Sequence, residues 1–194
     1  MNVLLLNASP RGEASNTLLL AKAFVRGLGG SCETVTLAEK TVAPCTGCMA
    51  CWKRGDGRCV FCDDMPALLD KIMQADVIVE SFPLYFYGLP GTLKMMTDRC
   101  LPYTKAYGWS KGTQHELRDP KMLEKRLALI STCWHTGTEQ LYAAVRAEFD
   151  LICGGKYETI FCPQGELFVI DACQRQKDAY LKDVQLAGSE VAQG

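Results

Sequence analysis

The chain has 194 residues, of which 48% are hydrophobic, and its 21 basic and 22 acidic side chains leave a net charge of −1. This length suits one well-buried core and is too short for two full domains. The balanced charge excludes the electrostatic footprint that nucleic acid or an anionic membrane would need. The first apolar run, Val3–Leu6, ends at Asn7 and has no basic leader. We therefore expect neither a signal peptide nor a membrane-spanning helix, and a cytoplasmic location.

Apolar runs predict five strands, and helical spacing predicts helices between and after them. The strands are expected at Val3–Leu6, Thr34–Leu37, Val77–Val79 with Phe82, Leu127–Ile130 and Thr159–Phe161. The helices are expected at Thr17–Leu28, Met65–Gln74, Thr92–Arg99, Glu139–Ile152 and Asp171–Leu186, followed by a frayed tail at Gly188–Gly194. This alternation predicts an α/β fold in which a doubly wound parallel sheet carries helices on both faces. Such a sheet binds its ligands beyond the carboxyl ends of its strands.

The loop between the first strand and the first helix is rich in groups that bind phosphate. These groups belong to Ser9, Arg11, Ser15, Asn16 and Thr17. Hydroxyl, amide and guanidinium donors next to a helix N terminus favour an anion. The loop contains a single glycine, so it matches neither a Walker loop nor a dinucleotide-binding glycine motif. A capped helix after a polar loop is the alternative interpretation.

Cysteines are concentrated in an insert at residues 43–64, which we name the cysteine loop. It contains Cys45, Cys48, Cys51, Cys59 and Cys62. Because the chain has 11 cysteines, an odd number, complete internal disulfide pairing is impossible. One interpretation is a zinc site made by two Cys-x-x-Cys pairs, and another is a packed loop of free thiols.

The loop after the third predicted strand is unusually aromatic. It begins with Pro83, Leu84, Tyr85, Phe86, Tyr87 and Gly88 and ends at Pro90. An aromatic wall with fixed backbone amides suits a flat, ring-shaped ligand. Alternatively, the apolar side chains only close the end of the sheet.

Two later segments are also candidates for a functional role: an aromatic insert and the loop after the fourth predicted strand. The insert at residues 101–122 holds Tyr103, Tyr107 and Trp109 and is expected to be a lid or a subunit contact, with disorder as the alternative. The loop after the fourth strand brings Thr132, Cys133 and Trp134 to the ligand edge. His135 follows them, but a loop histidine without a role is at least as good an interpretation, so no catalytic residue is assigned.

Two motifs together resemble the NADPH-dependent FMN reductase family, which includes the iron-sulfur flavoproteins. The first is Ser-Pro-Arg at residues 9–11 followed by Ser-Asn-Thr at residues 15–17. The second is Pro-x-Tyr-x-x-Gly-x-Pro at residues 83–90, continued by Leu93-Lys94 and Asp98-Arg99. The resemblance implies a single flavodoxin-like domain over residues 1–190, whose five-stranded parallel sheet has the order 2-1-3-4-5.

The resemblance also implies a cofactor and an activity. FMN would be bound through its phosphate by the first loop and through its ring by residues 83–88 and 132–134. The flavin would take a hydride from NAD(P)H. The oxidised nicotinamide would then leave before a quinone, a flavin or another small acceptor enters and receives the electrons. Homo-oligomers, dimers or tetramers, are expected, with the flavin near an interface.

The cysteine spacing adds a third interpretation of the cysteine loop. Cys45, Cys48, Cys51 and Cys59 resemble the ligand motif of a [4Fe-4S] cluster in iron-sulfur flavoproteins, although the gap before Cys59 is long for that motif. A chain with FMN and a cluster would be an electron carrier with a redox protein as its partner. A flavin-binding redox sensor that uses the clustered thiols is a further alternative.

Overall fold

A computed structural model describes residues 1–109 and 115–193, without the side chains of residues 107–109 and 115. Five parallel strands form the main sheet in the order β2-β1-β3-β6-β7. They are β1 (Asn2–Asn7), β2 (Ser31–Thr36), β3 (Val77–Pro83), β6 (Arg126–Cys133) and β7 (Glu158–Pro163). Counted within this sheet, the order is 2-1-3-4-5, which confirms the predicted flavodoxin-like topology.

Six helices accompany the strands in the described part of the chain. They are α1 (Asn16–Leu28), α2 (Ala50–Lys53), α3 (Met65–Gln74), α4 (Gly91–Asp98), α5 (Ala143–Cys153) and α6 (Gln174–Gln193). The predicted helix from Glu139 begins later, at Ala143, and the one predicted from Asp171 begins at Gln174 after a short 3-10 turn. None of these helices combines the length and the apolar character that a membrane crossing requires.

The sheet separates two apolar layers, because successive side chains of a strand point to opposite faces. Val3 and Leu5 of β1 pack with α1 and α6 on one face. Leu4 and Leu6 pack with α3, α4 and α5 on the other. Strand β1 is therefore apolar from Val3 to Leu6, as expected of a parallel sheet that is covered on both faces.

The predicted frayed tail at the C terminus is wrong for the residues that the structure describes. Helix α6 continues to Gln193 and lies along α1. Gly188 is buried, and the Ser189 hydroxyl donates a hydrogen bond of 3.2 Å to the carbonyl of Gly27. This close contact between helices holds a segment whose own composition is that of a flexible end.

The insert at residues 101–122 contains an antiparallel pair that the sequence pattern did not reveal. Strands β4 (Thr104–Trp109) and β5 (His115–Leu117) form a separate two-stranded sheet. The side chains of Tyr107 and Trp109, on which the lid prediction partly depends, lie outside the described residues. The insert contacts the cysteine loop, since the Trp52 indole donates to the carbonyl of Leu101 at 3.2 Å.

Candidate functional site

Loops that follow four of the main-sheet strands meet at the carboxyl edge of the sheet. They lie after β1, β3, β6 and β7, the places where a doubly wound sheet binds ligands. The first, third and fourth main-sheet strands counted along the chain are β1, β3 and β6, and they carry the loops that the sequence motifs singled out.

The loop after β1 is folded by its own polar side chains. The backbone N–H of Arg11 donates to the Ser9 hydroxyl at 3.3 Å, and the buried Ser15 hydroxyl caps α1 by accepting from the N–H of Leu18 at 3.3 Å. Arg11 is exposed beside this cap. The first amides of α1 have no acceptor within the helix and carry the positive end of its dipole. The loop thus combines backbone donors with one exposed guanidinium.

Asn16 and Thr17 connect the first loop to the rest of the carboxyl edge. The Asn16 amide donates to the carbonyl of Gly165 at 2.8 Å. The hydroxyls of Thr17 and Thr132 lie 2.6 Å apart in a hydrogen bond. These two predicted phosphate ligands therefore have protein partners, and their side chains fix the relative positions of three loops.

The loop after β3 forms a tight turn whose aromatic side chains face outwards. The backbone groups of Tyr85 and Gly88 exchange two hydrogen bonds, at 3.0 and 3.1 Å. Between them, Phe86 and Tyr87 have φ values of 47° and 67°, a left-handed conformation that bulky residues rarely adopt. Phe86 is 97% exposed. Strain and an exposed aromatic ring in one turn are typical of a ligand-binding loop.

The turn and the loop after β6 are joined by backbone. Pro83 lies opposite Thr132 in the sheet register, and the N–H of Leu84 donates to the carbonyl of Thr132 at 2.9 Å. Trp134 is 73% exposed, whereas Cys133 is buried in the core. Of the residues predicted here, Trp134 and the backbone of Thr132 thus face the edge, and the Cys133 side chain faces away from it.

A fourth loop, at residues 164–169, was missed by the sequence analysis. Gly165 is buried against Thr132, so that an added Cβ would lie 2.5 Å from the Thr132 Cβ. The Oε2 atom of Glu166 is buried and has no hydrogen-bond partner among the described residues. The signal available in the sequence was Pro163-Gln164-Gly165, a turn-forming run at the end of a predicted strand.

The residues at this edge fit FMN in their chemistry. Amides at a helix N terminus and the exposed Arg11 suit a phosphate dianion. Exposed aromatic rings at Phe86, Tyr87 and Trp134 suit the faces of an isoalloxazine ring.

The cysteine loop is closed at its base by buried charged groups. The Asp63 carboxylate accepts from the N–H of Ala43 at 2.9 Å and pairs with Arg99 through both guanidinium nitrogens. The side chain of Arg99 is only 1% exposed. Burial alone would raise the pKa of Asp63, but the hydrogen bonds from Arg99 and from backbone N–H groups lower it below its usual value.

Four thiols of this loop line one small cavity, together with Arg99. They belong to Cys45, Cys48, Cys51 and Cys59, while Cys62 does not line it. The Arg99 guanidinium lies 3.1 Å from the Cys59 sulfur. A hydrogen bond from the backbone of Ala50 lowers the pKa of Cys48, whereas burial raises that of Cys51.

The cavity lining follows the cysteine pattern of the iron-sulfur interpretation rather than that of the zinc interpretation. The four thiols are the residues of the C-x2-C-x2-C-x7-C motif, and the second zinc pair would need Cys62. In the described residues, no three His, Cys, Asp or Glu side chains converge closely enough to hold a metal ion. This arrangement therefore supports neither a zinc ion nor a cluster as it stands, and the zinc interpretation also lacks Cys62 in the cavity.

Comparison with known proteins gives a consistent result. The family model for NADPH-dependent FMN reductase matches residues 1–155. An iron-sulfur flavoprotein from Methanocaldococcus jannaschii is 38% identical over 104 residues, which are 53% of this chain and 53% of that protein. The match thus spans about half the length of that relative.

Solved structures share the fold over nearly the whole chain. An NAD(P)H:quinone oxidoreductase from Methanothermobacter marburgensis superposes with a TM-score of 0.72 at 18% identity, covering 98% of this chain and 96% of that one. An FMN-dependent NADH-azoreductase from Bacillus anthracis, in complex with FMN, superposes with a TM-score of 0.70 at 19% identity, covering 99% and 100%. On the match over residues 1–155, this chain belongs to the NADPH-dependent FMN reductase family.

Proposed function

We propose that this chain is an FMN-dependent NAD(P)H oxidoreductase that passes electrons to a quinone, a flavin or another small acceptor. The observation that carries the proposal is the strained, exposed aromatic turn at residues 85–88, which lies on the same sheet edge as the N terminus of α1. Bound FMN would supply the redox chemistry, since a flavin takes a hydride from a nicotinamide and gives its electrons onward.

The chain's own residues would bind and orient the cofactor. Arg11 and the first amides of α1 would hold the phosphate, and Ser9 and Ser15 would keep the loop in the shape that presents those amides. Asn16 and Thr17 would act through the loops to which they are bonded. Phe86, Tyr87 and Trp134 would flank the ring.

The test is the absorption spectrum of the protein after loading with FMN, recorded before and after addition of NADPH without oxygen. We expect flavin bands that bleach, and that return when a quinone is added. A protein that takes up no FMN, or whose bound flavin is not reduced by NADPH or NADH, would contradict the proposal.

Two matched variants locate the site in the same assay. Phe86→Ser removes the exposed ring of the turn, and we expect FMN affinity to fall at least about fivefold because an aromatic stack contributes roughly 1 kcal/mol beyond its buried area. Leu186→Ser changes an exposed apolar side chain on α6 and should leave FMN affinity unchanged. Equal affinity of both variants would argue against the turn as the ring site.

The second candidate function is an electron carrier with FMN and a [4Fe-4S] cluster. The observation that favours it is the cavity shared by the thiols of Cys45, Cys48, Cys51 and Cys59. A cluster there would add one-electron transfer. Iron and sulfide assays on protein purified without oxygen should show iron in the parent chain and in Cys62→Ser, and none in Cys51→Ser. Parent protein without iron would contradict the electron carrier and would leave the reductase without a cluster as the proposed function.

The predicted homo-oligomer remains a proposal. It is supported by the exposure of Phe86 and Trp134, which a second subunit would cover. Sedimentation velocity of the FMN-loaded protein tests it, and a monomer would contradict it.

A further inference from the structure

Glu80 is an acidic residue in the middle of the central strand. It lies between Ile78 and Phe82, which face the same apolar layer, and its register partners are Leu6 and Leu129. Glu80 is only 7% exposed. Its Oε2 atom is buried and has no hydrogen-bond partner among the described residues. An acid in this position is costly unless something pairs with it.

A cavity of about 790 Å³ lies against this carboxyl group. It is formed by α4, α5 and the insert at residues 101–122, and Cys100, Tyr103, Phe149 and Cys153 are among its walls. Its lining includes no residue of the loops proposed for FMN. The volume is within the range of small-molecule sites, about 300–1,000 Å³.

The mouth of the cavity is apolar and open. Leu123, Leu151 and Ile152 line it, and each is more than half exposed. Among the cations at its rim, Lys125 is already bonded to the carbonyls of Met73 and Ala75, at 2.7 and 2.5 Å. An apolar body can therefore enter without displacing an ion pair of Lys125.

No cation pairs with Glu80 among the described residues, although Lys105, Arg118, Lys125 and Lys156 also line the cavity. The thiols of Cys100 and Cys153 are neutral, since burial raises both of their pKa values to about 12. Burial, with repulsion from Glu148, raises the pKa of Glu80 to about 8. The nearby cation Lys94 is bonded to Asp98 and Glu148. An added ammonium group would meet one carboxyl and two neutral thiols.

We propose that this cavity binds a small lipophilic amine, with the ammonium group on Glu80 and the apolar body against Phe149, Leu151 and Ile152. A metal ion is the less suitable cation, because in the described parts of the chain no three acidic, cysteine or histidine side chains converge on one point. The proposal is independent of the reductase function, since the cavity shares no lining residue with the FMN edge.

The test is calorimetric titration of the FMN-loaded protein at pH 7 with three matched probes. They are 4-phenylbutylamine, its neutral counterpart 4-phenylbutanol, and the anion 4-phenylbutyrate. The amine should bind at least about tenfold more tightly than the alcohol, the margin of one charge-assisted hydrogen bond. Binding should also release close to one proton, because the ammonium ionises a carboxyl group that is mostly protonated in the free protein.

Glu80→Gln should remove both the preference for the amine and the proton release, while the exposed Glu158→Gln should keep them. Proton release is measured on the unmodified protein in buffers of different ionisation enthalpy, so the test stands even if Glu80→Gln fails to fold. Failure of the amine to bind, equal binding of amine and alcohol, or an amine preference that survives in a folded Glu80→Gln variant would each overturn the proposal.

Discussion

Single residues account for the largest departures from a simple apolar core, and Glu80 shows why. The run Val77–Val79 with Phe82 predicts β3 correctly, and one acid within it does not change the strand assignment. What the sequence could not indicate is that α4, α5 and the insert at residues 101–122 enclose that acid. Its burial is a tertiary property, and its thermodynamic effect depends on pH.

We expect the folded state to lose stability as the pH rises through the range between the two pKa values of Glu80. In the unfolded chain this pKa is near 4.5, and in the fold it is about 8. Between these values the folded state holds more protons, so that the free energy of unfolding falls as the pH increases and then levels off. Glu80→Gln should remove this contribution to the pH dependence of the free energy of unfolding. Urea unfolding measured below pH 4.5 and above pH 8 should show that the free energy of unfolding of Glu80→Gln, relative to that of the parent, is higher at the higher pH. The same difference in stability between variant and parent at both pH values would contradict the raised pKa of Glu80.

Arg99 and Asp63 form a second buried charged group, and it should matter far more than a surface pair. Arg99→Met would leave the Asp63 carboxylate without its guanidinium partner, at a cost of about 3–5 kcal/mol. The control is Lys94→Met, because Lys94 pairs with Asp98 at the surface, where a pair contributes at most about 1 kcal/mol. Denaturant unfolding of both variants measures the difference. Similar losses of unfolding free energy in the two variants would show that burial does not determine how much the ion pair between Arg99 and Asp63 stabilises the protein.

At the scale of elements, the contact between α1 and α6 holds the C-terminal part of the described chain in a helix. Gly27 and Gly188 face the opposite helix so closely that an added Cβ would lie 1.9 Å from the carbonyl oxygen of Gln185 and 2.1 Å from that of Phe24, respectively. Local composition predicted a frayed end because glycine and polar residues favour one. Helix packing overrides that preference.

Gly188→Ala should therefore destabilise the protein by about 1–3 kcal/mol, because the helices must separate to admit the methyl group. Gly91→Ala is the matched control, since a Cβ there meets nothing within 4 Å. Alanine is the better helix former, so the control should be neutral or slightly stabilised. Thermal unfolding of both variants distinguishes packing from propensity. A neutral Gly188→Ala would mean that α6 is not held by this contact.

At the scale of the whole molecule, the sequence was sufficient for the order of the main sheet and for most of the loops at its carboxyl edge. Apolar runs locate the strands, and parallel topology brings the loops after β1, β3 and β6 together without any knowledge of contacts. The loop at residues 164–169 was missed because its role depends on Gly165 touching Asn16 and Thr132, which are distant in sequence. The antiparallel pair in the insert was missed for a similar reason, since its polar strands have no continuous apolar run.

The candidate site should also couple cofactor binding to the stability of the entire fold. A ligand that binds only the folded state stabilises it in proportion to the logarithm of its concentration over its dissociation constant, about 2.7 kcal/mol at a hundredfold excess. FMN and riboflavin share the ring, but only FMN carries the phosphate that Arg11 and the N terminus of α1 would bind. At equal concentration, FMN should therefore raise the melting temperature clearly more than riboflavin.

Alanine variants of two arginines, one near each end of α1, test whether the phosphate causes that difference. Arg11→Ala should bring the FMN shift close to the riboflavin shift, because the remaining donors are backbone amides alone. Arg26→Ala, at the opposite end of α1, should leave the difference intact. If riboflavin stabilised the parent chain as much as FMN, the phosphate would lie elsewhere. The loop after β1 would then be only a capped helix start, and the binding energy would have to come from the aromatic turn.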